Sequence, residues 1–252
     1  CRPVMSVSEQ LEQGKQFFAR KYPQMKYLAY FQAYTNTYGE LQKLKALYEE
    51  ALAVDDVVGL VIGTRPDCMP DELLEYLEEL SKKVFVLVEY GVETSKNATL
   101  EIINRGHTWE DAVDAVNRTK AHNILCGIHL IIGLPGETID DILATADAVS
   151  TLPLDTVKLH QLQLIRGTRM AQQVEVGELA IMQWSAEEYI DVCLAFLRRL
   201  SPEIAVERFV SQSPAELLIS PKWGLKNYEF TNLLMNRIRV TSTRQGSEYG
   251  GK

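Results

Sequence analysis

Cysteine is scarce and scattered. The four residues Cys1, Cys68, Cys126 and Cys193 form no pair spaced for zinc or an iron–sulfur cluster. As isolated thiols, Cys126 and Cys193 read as small core residues. No apolar run approaches the ~20 residues that a membrane span needs. The opening CRPVMSVSEQLEQGK lacks the apolar segment of a signal peptide. No linker rich in Gly, Pro or Ser interrupts the chain before residue 222. A basic excess is missing as well: 26 Lys and Arg stand against 34 Asp and Glu, a net charge of −8. That field repels a polyanion, so net charge does not indicate a nucleic-acid partner, although a local basic patch remains compatible with it. A reducing, cytoplasmic location is the expectation. Cys1 stands where an initiator Met is usual, and the chain therefore reads as a fragment of something longer.

With 252 residues, 46% hydrophobic and 24% charged, the chain is long enough for one α/β domain of barrel size or two smaller domains. Apolar spacing predicts helices over 7–20, 39–54, 70–83, 108–122, 138–152 and 185–200. Thr108-Trp109-Glu110-Asp111 and Ser185-Ala186-Glu187-Glu188 read as capped helix starts. Between them lie six apolar runs predicted as strands: 27–32, 57–62, 84–92, 124–133, 155–164 and 204–210. Strict alternation of this kind implies a parallel sheet with right-handed crossovers. Because a helix comes first, a further strand is expected upstream. Residues 222–252 separate as a C-terminal helix and polar tail, whose last ~12 residues have the composition of a disordered terminus.

Ligands of parallel α/β folds lie at the carboxyl ends of the strands. Here every such end is polar. The first carries Gln32, Thr35 and Asn36, the second Arg65, and the third Glu89 and Glu93. The fourth carries His129 and then Gly133-Leu134-Pro135-Gly136; the fifth leads to His160 and Arg166, and the last to Arg208. Each has a bland reading, as a surface ion pair, a turn, or a satisfied core histidine. His129 is the anomaly, since a ring that can carry charge inside an apolar run needs a partner or a task. Independent surface residues have no reason to converge on one rim.

EYGVETSKNATLEIINRGHT followed by HLIIGLPGET resembles the radical S-adenosylmethionine enzymes, in the branch that includes oxygen-independent coproporphyrinogen oxidase and the catalytic subunit of elongator. With YLAYFQAYTNTYGEL, VIGTRPDC, KLHQLQLIRGTRMA and VERFVSQSPAELLISPKWGLKNYEF, the resemblance extends over nearly the whole chain and points to the YhcC-like subgroup. It implies a partial (β/α)6-type TIM-like barrel over 1–221, lacking its first strand, and reductive cleavage of S-adenosylmethionine by a [4Fe–4S] cluster. The 5′-deoxyadenosyl radical so formed acts on an unknown substrate in an oxidoreductase- or transferase-type reaction. An electron donor such as flavodoxin or ferredoxin is the implied partner.

By position, the resemblance implies that Glu93 contacts the methionine or ribose part of the cofactor and that Arg105 approaches its carboxylate, a task suited to a guanidinium fork. His129 stands where some relatives have an aspartate that contacts the cofactor. The turn at Gly133 and Leu134 lets backbone approach the adenine. Glu89 joins the cofactor set, and Gln32, Thr35 and Asn36 occupy the place of a glycine-rich motif that holds the methionyl amine, from which they depart. The cluster's three cysteines are absent from these 252 residues and are expected upstream of Cys1. Arg65, Arg166 and Arg208 are candidates to face an anionic substrate. Two other readings stand beside this one: a cluster-independent barrel lyase using Glu89 and His129 as acid and base, and an S-adenosylmethionine-binding module without radical chemistry that contacts RNA through residues 222–244.

Overall fold

Apolar runs with no in/out alternation become the strands of one sheet covered on both faces. The computed structural model describes residues 5–19 and 21–250, and the readings placed on Cys1 lie outside the described residues. Its main strands are β1 (Tyr27–Phe31), β2 (Val57–Thr64), β3 (Phe85–Glu93), β4 (Leu125–Ile132), β5 (Thr156–Gln161) and, after a two-residue β6 (Leu164–Ile165), β7 (Ala205–Arg208). They lie in the order β1-β2-β3-β4-β5-β7, every pair parallel. Together they curl into a half-barrel, as the partial-barrel expectation required.

Helices fill the crossovers: α1 (Val7–Ala19), α2 (Leu41–Leu52), α3 (Asp71–Ser81), α4 (Asn97–Ile102), α5 (Trp109–Ala121), α6 (Ile139–Val149), α7 (Arg169–Glu175) and α8 (Ala186–Arg199). Leu73, Leu74 and Leu77 of α3 are fully buried, as are Ala112, Ala115 and Val116 of α5. Both expected caps form as reciprocal boxes, Thr108 with Asp111 and Ser185 with Glu188, and a third joins Thr138 to Asp141 at the start of α6. Helix-facing positions Leu60, Ile62, Val88, Tyr90, Cys126, Ile128, Val157 and Leu159 supply the core, and Cys193 is buried on α8. The Tyr90 hydroxyl meets Thr119 of α5 at 2.8 Å, which marks that side of β3 as the helix-covered one.

The inward face is different in kind. Register places Gly63, Glu89, Gly127 and Thr156 side by side in one row, and Gly91, His129 and Lys158 in the next. Glu89 thus sits between two glycines, with room for long side chains to reach it from neighbouring strands.

Two expectations are corrected. The strand expected over 155–164 stops at Gln161, whose amide exchanges two 2.9 Å hydrogen bonds with the backbone of Ser211 in place of a further strand partner. The chain then turns away, and β6 pairs antiparallel with β8 (Leu218–Ser220) in a sheet of its own. Nor does the polar tail behave as its composition suggested. After α9 (Asn227–Thr241) the backbone N–H groups of Gly246 and Glu248 donate to the Leu197 and Arg198 carbonyls at the end of α8, at 3.0 and 2.8 Å. The helix end carries unsatisfied carbonyls that a tail can fill, whatever its hydropathy.

Gly59 occupies the inward position between Leu28 and Phe85, where an added Cβ would lie 2.4 Å from the Phe85 carbonyl oxygen. Gly59→Ala is expected to cost about 1–3 kcal/mol through forced backbone displacement. Gly14→Ala, in an exposed turn of α1 with open space around it, is expected to gain about 0.5–1 kcal/mol. Urea unfolding midpoints check both.

Candidate active site

The third strand reaches the rim through a bulge. Register slips between Gly91 and Glu93, and Glu93 takes a left-handed backbone with φ 69°. Such a conformation in a non-glycine residue stores strain that surrounding contacts must hold. They are supplied by Arg105, in the segment that follows α4, whose Nη2 donates to the Gly91 carbonyl at 2.8 Å and lies 3.0 Å from the Glu93 carboxylate. A Cβ at Gly91 would fall 2.4 Å from that guanidinium nitrogen, so glycine is what admits the arginine. Burial pushes the Glu93 carboxyl up, against the opposing pull of Arg105 and His129. The Arg105 Nε is buried and has no hydrogen-bond partner.

Below the rim lies Glu89, only 1% exposed. Its carboxylate accepts from the Tyr30 hydroxyl at 2.6 Å, from His129 Nε2 at 3.0 Å, and from the Lys158 ammonium. Contacts from β1, β4 and β5 onto one residue of β3 are possible only on the inside of a curled sheet. Burial alone would push the Glu89 carboxyl up; the three hydrogen bonds reverse that and hold it at about 2. Lys158, itself 7% exposed, also lies 3.4 Å from Glu207 and 5.0 Å above the Tyr30 ring. The His129 ring stacks on His160 at 5.2 Å. Burial first, then the charges of His129, Arg208 and Lys158, hold His160 at about 4, so its ring is neutral at neutral pH.

Two loops are fastened together beside this cluster. Thr94 donates to the buried Glu137 carboxylate at 2.5 Å, and Ser95 meets Thr145 at 2.8 Å. Lys96 bonds the Gly136 carbonyl at 3.0 Å and Asp141 at 2.8 Å. The segment following Glu93 is thereby tied to the glycine turn after β4.

The fold therefore gathers Glu89, Glu93, Arg105 and His129, with Arg65 close by through a 3.2 Å bond to the Gly106 carbonyl. Other candidates are used differently. Asn36 spends its amide on the Phe31 and Gly63 carbonyls at 2.9 and 2.8 Å, Gln32 is exposed, and Thr35 is half-buried. Leu134 is buried, and the open side of Gly133, at φ 95°, faces Trp184 at 3.1 Å. Arg166 is exposed beyond β6, whereas Arg208 aligns with Lys158 in the β5–β7 register. Tyr30 and Lys158 belong to the cluster although the sequence did not mark them, and His160, noted at the end of the fifth strand, joins them without having been given a cofactor role. The available signal was that Lys158 and His160 share the phase of one strand face. A carboxylate ionised down to about 2 does not exchange protons at neutral pH, so the acid–base pairing of Glu89 with His129 finds no support.

A parallel sheet curled into a half-barrel, with polar residues collected at its carboxyl ends, is the arrangement of a partial α/β barrel. The chain belongs to the Radical SAM superfamily, a superfamily of enzymes: residues 2–149 match that superfamily and residues 154–239 its C-terminal domain. The uncharacterized protein YtqA of Bacillus subtilis is 38% identical over 226 residues, covering 90% of this chain and 70% of YtqA. YhcC of Escherichia coli K12 is 35% identical over 219 residues, covering 86% of this chain and 69% of YhcC. The solved structure of the archaeal Methanocaldococcus infernus Elp3 shares the fold with a TM-score of 0.77 at 20% identity, over 95% of this chain and 59% of that one. Among the described residues no group of three or more His, Cys, Asp or Glu is placed to hold a metal ion. No described helix is long and apolar enough to cross a membrane.

Glu89→Gln leaves Lys158 as a buried charge with Glu207, 3.4 Å away, as its remaining carboxylate and is expected to cost about 3 kcal/mol. Adding Lys158→Met should recover most of that loss, read by denaturant titration as a double-mutant cycle. The pH response follows from His160. Its folded value lies below the ordinary 6.5, so the unfolded chain takes the proton first and stability falls as pH drops from 6.5 towards 4. His160→Asn is expected to remove about 3 kcal/mol of that loss at pH 4, while the share from His107, whose ring burial also pushes down, stays. Unfolding midpoints measured across that range check it.

Proposed function

We propose that the concave face binds S-adenosylmethionine and that the protein is a radical enzyme acting on a substrate held in the same half-barrel. The observation that carries this reading is the Arg105–Glu93 pair on the β3 bulge, with a buried guanidinium N–H still unpartnered. An amino-acid end has one anionic and one cationic group. A guanidinium with a spare donor and a carboxylate 3.0 Å away fit that pair of charges. Gly91 leaves room for the Arg105 guanidinium and the Glu93 carboxylate to meet, since a Cβ there would fall 2.4 Å from the one and 2.8 Å from the other. The residues present thus fit the cofactor.

Reductive cleavage of S-adenosylmethionine is what the bound cofactor would supply, with electrons from a donor such as a flavodoxin or ferredoxin; the chemistry is the cofactor's, and the protein binds, orients and encloses. Glu93 and Arg105 fix the amino-acid end. Glu89 provides a fixed negative charge beneath it, already neutralised by Lys158 and hydrogen bonds, and therefore not competing for the ligand's cation. Arg208 is exposed on β7 and in register with Lys158, which supports it as the arginine that meets an anionic substrate group in this reading. Arg65 is engaged with Asp67.

Arg105→Ala is expected to weaken S-adenosylmethionine binding by about ten-fold or more, the value of one charged hydrogen bond, measured by equilibrium dialysis. The full-length protein, reconstituted anaerobically and reduced, is expected to release 5′-deoxyadenosine and methionine. Tight binding with no cleavage under those conditions would instead identify a binding module.

A further inference from the structure

The three tryptophans are unevenly placed. Trp109 opens α5, whereas Trp184 and Trp223 both line one cavity of about 360 Å³. Pockets that hold small ligands begin at roughly 300 Å³. Ile132 and Leu162, at and just beyond the ends of β4 and β5, form one side of this cavity, and the segment from Ile219 to Trp223 forms another. None of Glu89, Glu93, Arg105 and His129 borders it. Gly133 does, but its open side is already filled by Trp184, 3.1 Å from where a Cβ would stand. The cavity is therefore distinct from the charged residues assigned to the cofactor.

Both indoles are fixed without any ligand. Trp223 Nε1 donates to the Trp184 carbonyl at 2.8 Å. The buried Tyr189 ring lies 6.0 Å from Trp184 and 5.2 Å from Trp223, and the buried Phe230 stacks on Trp223 at 5.6 Å with the planes 16° apart. Rings packed in this way offer flat apolar area with little rotamer freedom left to lose on binding. They favour a flat, apolar ring as occupant over a flexible polar one.

Charge narrows the ligand further. Among the described residues that border the cavity, Lys222 is the one that carries charge, and no Asp or Glu joins it. Its side chain is exposed, so the cation stands at the mouth. Other donors nearby are spent: the Gln161 amide goes to Ser211 and the Trp223 N–H to Trp184. An apolar slot with one cation at its edge and no carboxylate is complementary to an anionic group on an otherwise apolar ring.

We propose that this cavity is a binding site for a planar aromatic ring system carrying an anionic group, with the ring against Trp184 and Trp223 and the anion at Lys222. The site goes beyond the cofactor reading and stands without it. The test uses 2-naphthoate, titrated into the full-length protein with no cofactor present. In nitrogen-15 spectra the indole N–H signals of Trp184 and Trp223 are expected to move while that of Trp109 stays, with a dissociation constant of about 1 mM or tighter. The uncharged 2-naphthylmethanol is expected to bind about ten-fold more weakly, and Lys222→Ala to lower naphthoate to the affinity of the alcohol. Ile219→Trp, which fills the cavity from a position 37% exposed, is expected to abolish binding of both by calorimetry. Unmoved Trp184 and Trp223 signals in the wild type at 10-fold excess over the expected constant overturn the proposal whether or not any variant folds, as does equal affinity for the acid and the alcohol. Displacement of naphthoate by S-adenosylhomocysteine would also overturn it, by making the cavity part of the cofactor site, and would leave the cofactor reading intact.

Discussion

One carboxylate sets the inner face of this half-barrel. Glu89 is an anion almost wholly removed from water, and such a charge persists only when its lone pairs are filled by donors. Here the donors come from β1, β4 and β5, so the requirement to satisfy a single side chain fixes how tightly four strands curl around it. The glycines on either side of it in register, Gly63 and Gly127, are the counterpart of that demand. Hydrophobic burial on the helix side makes the sheet; ion pairing on the other side gives it curvature and a floor.

Much of the scaffold was legible in the residues because it depends on local patterns. The apolar runs marked the six parallel strands, and Thr108-x-x-Asp111 and Ser185-x-x-Glu188 marked helix starts that form as expected. Glu89, Glu93 and His129 could be seen as a group because strand ends in a parallel fold all point the same way, whereas Arg105, which follows a helix, entered through the resemblance alone. What could not be seen was the third dimension of that group. Lys158 lies in TVKLHQ, where alternation alone is equally consistent with a solvent-facing lysine. Its burial against Glu89 follows from strand order and curl, neither of which a linear pattern encodes. Asn36 illustrates the opposite error, a polar residue at a strand end that is consumed by two backbone carbonyls. The tail misled for a related reason, since its anchoring uses backbone groups and composition speaks only of side chains.

The rim and the floor answer to different physics. At the floor, burial and pairing make the charges permanent. At the rim, the Arg105–Glu93 pair remains partly accessible, and burial still pushes the Glu93 carboxyl up, so its ionisation depends on what lies beside it. A ligand's charge arriving there meets groups that can respond, whereas Glu89 beneath cannot. That division suits the proposed role of holding a reactive cofactor without taking part in its chemistry.

The fastening of the segment after Glu93 to the turn after β4 has a further meaning. Lys96 spans the Gly136 carbonyl and Asp141, and Thr94 meets Glu137. The loop that carries the strained residue is thus ordered before any ligand arrives, and its conformational entropy has been surrendered during folding. Association then loses little loop freedom, and affinity at this face reflects the contacts themselves.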